Sequence, residues 1–273
     1  MRQNLFLKTL SLLFAVVLLL SCSDSFDKIR NSGDVELMTT KADEFFQEGN
    51  WLNAQILYEQ LLGAYRGKSK SEEIFFNYAK TYFEQQQYIL AAYHFKRFAI
   101  TYPNSSLREE ADFMVAYSEY QQSPKFRLDQ QPTKFAMESF QTFINRYPAS
   151  EKVAQCNELM DELRQKMERK AFSASMLYYD TRDYQSAAHT FENFARDFPD
   201  SDRIVEARYL AVKSEYLLAK NSIPSKQFDR YEVVVEDFEA FEEKHPESIY
   251  LQELRSYYEL SKQNLNKLSD VGY

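Results

Sequence analysis

The sequence predicts an all-α protein, a solenoid of about five helical hairpins closed by a C-terminal capping helix. Three observations carry that expectation. A short aromatic phrase ending in proline recurs four times: Phe95, Phe98, Tyr102, Pro103, Ser105; Phe140, Phe143, Tyr147, Pro148, Ser150; Phe191, Phe194, Phe198, Pro199, Ser201; and Phe238, Phe241, His245, Pro246, Ser248. The phrase is part of a longer unit. Twelve residues before the proline slot stands Ala54, Ala91, Ala136, Ala187 or Val234, and fifteen before it a ring in four of five copies: Trp51, Tyr88, Tyr184 and Tyr231. A worn first copy reads Tyr58, Leu61, Tyr65, with Arg66 in the proline slot. Finally, 5 Gly and 7 Pro in 273 residues leave little room for strands and tight turns.

Within each copy the recurrent residues fall three and four apart, which is one face of an α-helix. The small residue lets a neighbouring helix approach, and the two Phe fill the space beside it. Proline then stops the helix, because it lacks an N–H and disfavours α geometry in the residue before it. The serine two residues on can cap the next helix. Each phrase is therefore the second helix of a hairpin with its exit turn. In the second copy Phe75, Tyr78, Ala79 and Tyr82 supply the first helix, followed by Ala91, Phe95 and Pro103. That order resembles the tetratricopeptide (TPR) pattern, in which stacked hairpins bury a continuous core that one hairpin cannot. The phrase rings are thereby scaffold, and function must use positions that the repeat leaves free.

In chain order, Arg2 and Lys8 precede an apolar run from Leu10 to Leu20, too short to span a membrane as a helix. The run ends Leu19-Leu20-Ser21-Cys22 and resembles a bacterial lipoprotein signal, with residues 1–21 removed and Cys22 lipidated, palmitate among the acyl chains implied. Residues 22–33 read as a tether. Residues 34–150 read as three front hairpins, with a polar insertion from Ser123 to Pro132. From Glu151 to Asp180 there is neither Gly nor Pro, which predicts one helix of nearly thirty residues. It opens the last region, 151–273, which adds two rear hairpins and a cap.

Recognisable catalytic chemistry is missing. Gly67-Lys68-Ser69 lacks the first Gly of a phosphate loop, where Leu62 stands. His94, His189 and His245 sit in different copies with no i, i+4 ligand pair, so packed or solvent-facing histidines are expected and no metal. Cys156 has no dedicated His partner and reads as an inert helical thiol. The expectation is a non-enzyme with no cofactor. A net charge of −8 argues against a nucleic-acid partner.

A lipoprotein signal followed by about five TPR-like hairpins resembles the BamD family of outer-membrane lipoproteins. Local matches are Gly49-Asn50-Trp51, Arg146-Tyr147-Pro148-x-Ser150, and Lys170-x-x-Ser173 leading into Tyr178-Tyr179; Arg66 departs from the family's usual proline. The resemblance implies a periplasmic scaffold of the β-barrel assembly machinery, anchored by lipid in the outer membrane. Its front hairpins would receive the C-terminal segments of unfolded outer-membrane proteins, and its rear hairpins the central barrel subunit. Two other readings remain: a TPR lipoprotein adaptor for cell-wall synthesis, and a SusD-type glycan-binding lipoprotein, although no insertion of the size the latter needs occurs. Setting the helix register by Ala79 and Tyr82, and by Ala42 and Phe45, leaves Phe46, Phe76, Lys80 and Phe83 as candidate peptide-binding residues. Rings and an ammonium suit a peptide ending in an aromatic residue and a carboxylate. The same rings would otherwise pack on neighbouring helices or on the tether.

Overall fold

The computed structural model describes residues 26–270, which are helical with no strand among them. The signal segment 1–21, Cys22 and the first residues of the tether lie outside the described residues. From residue 26 to residue 30 the tether region is helical, because Phe26 finds an apolar partner: its ring meets Phe45 edge-on at 5.8 Å.

The chain divides into two compact units. The front unit comprises residues up to Pro124 together with Asp129–Met160. It contains α1 (Val35–Gln47), α2 (Trp51–Ala64), α3 (Ser71–Glu84), α4 (Tyr88–Thr101), α5 (Arg108–Gln121), α6 (Gln131–Arg146) and the start of α7 (Val153–Asp180). The rear unit comprises Lys125–Leu128 and everything from Asp161 onward, with the rest of α7, α8 (Tyr184–Asp197), α9 (Ile204–Lys220), α10 (Pro224–Lys244) and α11 (Leu251–Asp270). From α1 to α6, and again from α8 to α11, each helix packs on the next, as a TPR-like α-solenoid requires.

The repeat residues do what their spacing predicts. Ala54, Ala91, Ala136, Ala187 and Val234 are all fully buried. The first Phe of each phrase (Phe95, Phe140, Phe191, Phe238) is at most 1% exposed. In three of the four copies the ring before the proline ties its helix back to the first helix of the same hairpin, while Phe198 tilts against Phe194 of its own helix at 5.3 Å. Tyr147 donates to Asp112 Oδ2 at 2.7 Å, His245 Nε2 lies 2.8 Å from Arg208, and Tyr102 bonds Ser71. The serines stand two residues before the N-cap position. Ser105, Ser150, Ser201 and Ser248 each accept at Oγ the N–H two residues on, at 3.0–3.2 Å, and so hold the linking turn rather than the helix end.

The hairpin turns share one requirement. Gly49, Gln86 and Arg182 occupy the same place two residues before the repeat ring, with φ of 76°, 60° and 64°. Glycine adopts that left-handed geometry freely, while the other two are held there by the helices they join. In the insertion, Lys170 Nζ donates to the Leu128 carbonyl at 2.5 Å and the Arg169 guanidinium lies 4.3 Å from the Phe126 ring centre. Both anchors belong to α7, which explains why this short segment belongs to the rear unit.

Candidate functional site

On α1, α3 and α5, the first helices of the front hairpins, one face carries half-buried rings. Phe46 on α1 is braced edge-on by Trp51 at 5.2 Å and Tyr58 at 6.1 Å. The Lys80 ammonium on α3 lies 5.6 Å from the Phe46 ring centre, close enough for a cation–π attraction. Phe83, one turn beyond Lys80, stacks at 5.6 Å on Tyr117 of α5. Tyr117 continues the row through near-parallel contacts with Phe113 at 5.7 Å and Tyr120 at 5.8 Å. The result is a row of half-buried rings, Phe46, Phe83, Tyr117 and Tyr120, with the Lys80 ammonium beside Phe46, while Phe113 is buried and has the Lys152 ammonium 4.5 Å from its ring centre. Chemically this strip offers π faces and a cation, which suits aromatic side chains and carboxylates.

Phe76 does not belong to this strip. It is 9% exposed and meets Phe95 at 5.4 Å and Phe98 at 5.5 Å, inside the core between α3 and α4. The reason lies in helix geometry. Phe76 stands three residues before Ala79, so it shares the buried face of the residue that was used to set the register. Of the four candidate residues, Phe46, Lys80 and Phe83 share the first-helix face, and Phe76 is scaffold.

In the rear unit, α9 and α11 meet through a polar cluster on a stacked aromatic base. Tyr209 stacks on Tyr250 at 4.2 Å and Tyr216 on Tyr257 at 4.3 Å. Glu253 accepts from Tyr209 at 2.7 Å, from Lys213 at 2.8 Å and from Tyr257 at 2.6 Å. Burial alone would raise the Glu253 carboxyl, but hydrogen bonds from Lys213, Tyr257 and Tyr209 hold it down at about 2. The Lys213 ammonium is raised despite burial, by its bonds to Glu253 and Tyr209. The cluster therefore stays ionised across the physiological range and fixes the closing helix. Cys156 and His94 are packing residues. Cys156 is fully buried with its thiol pushed up by burial, and His94 stacks on Tyr82 at 4.6 Å with burial pulling its imidazole down to about 4.

A family model described as an outer membrane lipoprotein, YfiO, matches residues 33–177, more than half of the chain. The chain belongs to the YfiO family of outer membrane lipoproteins. Among its relatives, the outer membrane protein assembly factor BamD of Xylella fastidiosa (strain 9a5c) is 23% identical over 201 residues, covering 70% of this chain and 69% of that protein. Among solved structures, the TPR domain of P58(IPK) aligns with a TM-score of 0.40 at 12% identity over 86% of this chain; the chain spans 66% of that structure, just under two thirds of its length.

The YfiO match runs from α1 through nearly all of α7 and so contains the whole first-helix strip. Two strip residues of this YfiO-family chain, Tyr117 and Tyr120, escape a reading confined to the first two hairpins. Their signal is present in the sequence as Phe113, Tyr117 and Tyr120, spaced four and three apart.

Proposed function

We propose that this chain is a non-enzymatic, lipid-anchored scaffold of the machinery that assembles β-barrel proteins in the outer membrane, facing the periplasm. The observation that carries the reading is the YfiO match across the front hairpins, supported by the relationship to an outer membrane protein assembly factor. Cys22 is the anchor in this reading, since it ends the Leu19-Leu20-Ser21-Cys22 motif. The front hairpins bind the C-terminal segments of unfolded outer-membrane proteins on the strip of Phe46, Lys80, Phe83 and Tyr117, and the rear hairpins hold the central barrel subunit. Recovery of the tagged protein in mild detergent should bring down an outer-membrane barrel protein with periplasmic domains. A cell-wall synthase or a glycan transporter in its place would reject the proposal.

Two further outcomes are expected. Cys22→Ala should abolish incorporation of a radiolabelled fatty acid, because that thiol is the acyl acceptor; full labelling of the variant would remove the anchor. Lys80→Ala combined with Phe83→Ala should weaken binding of a barrel-protein C-terminal peptide roughly five- to thirty-fold, since each ring or cation contact contributes about 0.5–1 kcal/mol and two are removed. Fluorescence anisotropy measures this, with an amidated peptide as the control for the carboxylate. Equal affinity of wild type and variant, at unchanged melting temperature, would place the peptide elsewhere.

A further inference from the structure

The front unit has a second feature on the opposite side of α5 from the aromatic strip. Successive residues on an α-helix turn by about 100°, so Glu119 points roughly 200° away from Tyr117. There α4 and α6 flank α5 and leave two adjoining hollows of about 450 and 380 Å³ that share Lys96, Val115 and Glu119. The α4 wall presents Ile89, Tyr93, Lys96 and Ile100, and the facing α6 wall presents Phe135. These apolar side chains are unusually open: Ile89 and Ile100 are 72% exposed, Tyr93 54% and Phe135 51%. Single exposed apolar residues are ordinary, but a rimmed run of them marks a contact surface.

The repeat provides an internal control. Counting from the ring that starts each second helix, the four α4 positions correspond in α8 to Gln185, His189, Glu192 and Arg196, all exposed. In α10 they correspond to Glu232, Glu236, Glu239 and Glu243, again all exposed. In α2 the first two are Leu52 and Ile56, but Glu59 and Gly63 follow. The scaffold thus tolerates polar residues at every one of these positions, and only α4 carries an apolar stripe along its full length. Packing within this fold does not explain it.

We propose that the α4–α6 groove receives an amphipathic helix of a partner protein, one with an apolar stripe and carboxylates beside it. The spacing points to a helix, because Ile89, Tyr93, Lys96 and Ile100 lie four, three and four apart, the seam pattern of paired helices. The stripe is about 16 Å long at 1.5 Å per residue, or three helical turns. Charge points to carboxylates. The groove holds three cations, Lys96, Arg108 and Arg146, against Asp112 and Glu119, in a chain whose net charge is −8. Asp112 is already committed to Arg146 at 2.7 Å and Arg108 at 3.7 Å. Lys96 stands exposed in the middle of the stripe, where a partner carboxylate would pair with it.

The test uses the full chain and a synthetic probe, an acidic helical peptide of about twenty residues, long enough to be helical alone, with Leu at the seam positions and Glu beside them. Its controls are a scrambled peptide and one with Lys in place of Glu. The decisive variant carries Ile89→Gln, Tyr93→His and Ile100→Arg, residues that α8 already holds at the same places. We expect the acidic peptide to bind wild type more tightly than either control, and the triple variant to lose at least about five-fold in affinity with an unchanged melt. Lys96→Glu should shift preference toward the Lys-bearing peptide. Equal binding of all three peptides, no binding, or equal binding by the triple variant would overturn the proposal. So would a wild type that sediments as a dimer while the variant is a monomer, or vesicle binding lost in the variant, since the stripe would then face a second copy or a lipid surface.

Discussion

Phe191→Ala is expected to destabilise the rear unit by about 3–5 kcal/mol, the cost of removing a buried ring and leaving most of its cavity open. The ring is fully buried in a cluster with Phe172, Phe194, Phe238 and Leu254, and it meets Phe172 edge-on at 5.6 Å. The cluster draws its residues from five helices, α7 to α11, with Ala207, Leu210 and Ala211 supplied by α9. Little relaxation is available, so the cost belongs at the upper part of the range. A thermal or urea melt of the chain lacking residues 1–22 reads it directly. Glu232→Ala, an exposed charge one position past the Tyr231 ring, is the control and should stay within about 0.5 kcal/mol. A Phe191→Ala melt that matches wild type would mean that the helix face is wrongly assigned and that the repeat register fails with it.

That register is the most legible part of the molecule. Proline, a ring before it and two Phe at helical spacing state in residue types which face is buried and where each helix stops. The 28-residue α7 is legible for the opposite reason, a long stretch without Gly or Pro. The hairpin turns are harder to read. Gly49 announces a left-handed residue, but Gln86 and Arg182 adopt the same geometry at a cost of about 1–2 kcal/mol each, and the packed helices on either side impose it. The site divides in the same way. Phe46, Lys80 and Phe83 follow from positions that the repeat leaves free. Phe76 does not, because its place three residues before Ala79 puts it on the buried face that Ala79 marks. The α4 stripe was present in the sequence as Ile89, Tyr93 and Ile100, yet apolar residues on a helix next to a core read as core. Only in the folded chain is it visible that these three point away from it.

Within the rear unit, a carboxyl group that burial has made reluctant to ionise should contribute stability in mild acid that is lost at alkaline pH. Glu215 lies on α9 at the position that Glu119 takes in α5. Burial, with Asp237 of α10 and Glu192 of α8 adding like charge and Arg230 of α10 only partly offsetting it, pushes its carboxyl up from 4.5 to about 7. Asp237 is likewise pushed up, to about 6, by burial and by the charges of Glu192 and Glu236. In the unfolded chain both groups ionise at their ordinary, lower pH values. Between about pH 4 and 7 the folded state therefore binds more protons than the unfolded one, and stability falls as pH rises through that window. The loss is complete roughly one pH unit above the folded value of Glu215, at about pH 8. Because Glu215 remains partly open to water, which screens its neighbours' charges, the effect is expected at about 1–2 kcal/mol. Glu215→Gln keeps the shape and removes the charge. It should stabilise the protein by that amount at pH 8, with little effect at pH 4.5, where the native carboxyl is already protonated. Urea melts of wild type and variant across this range give the difference directly. A Glu215→Gln advantage that is the same at pH 4.5 and pH 8 would mean that the glutamate ionises normally in the folded protein, and the crowding of carboxylates between α8, α9 and α10 would then have no energetic consequence.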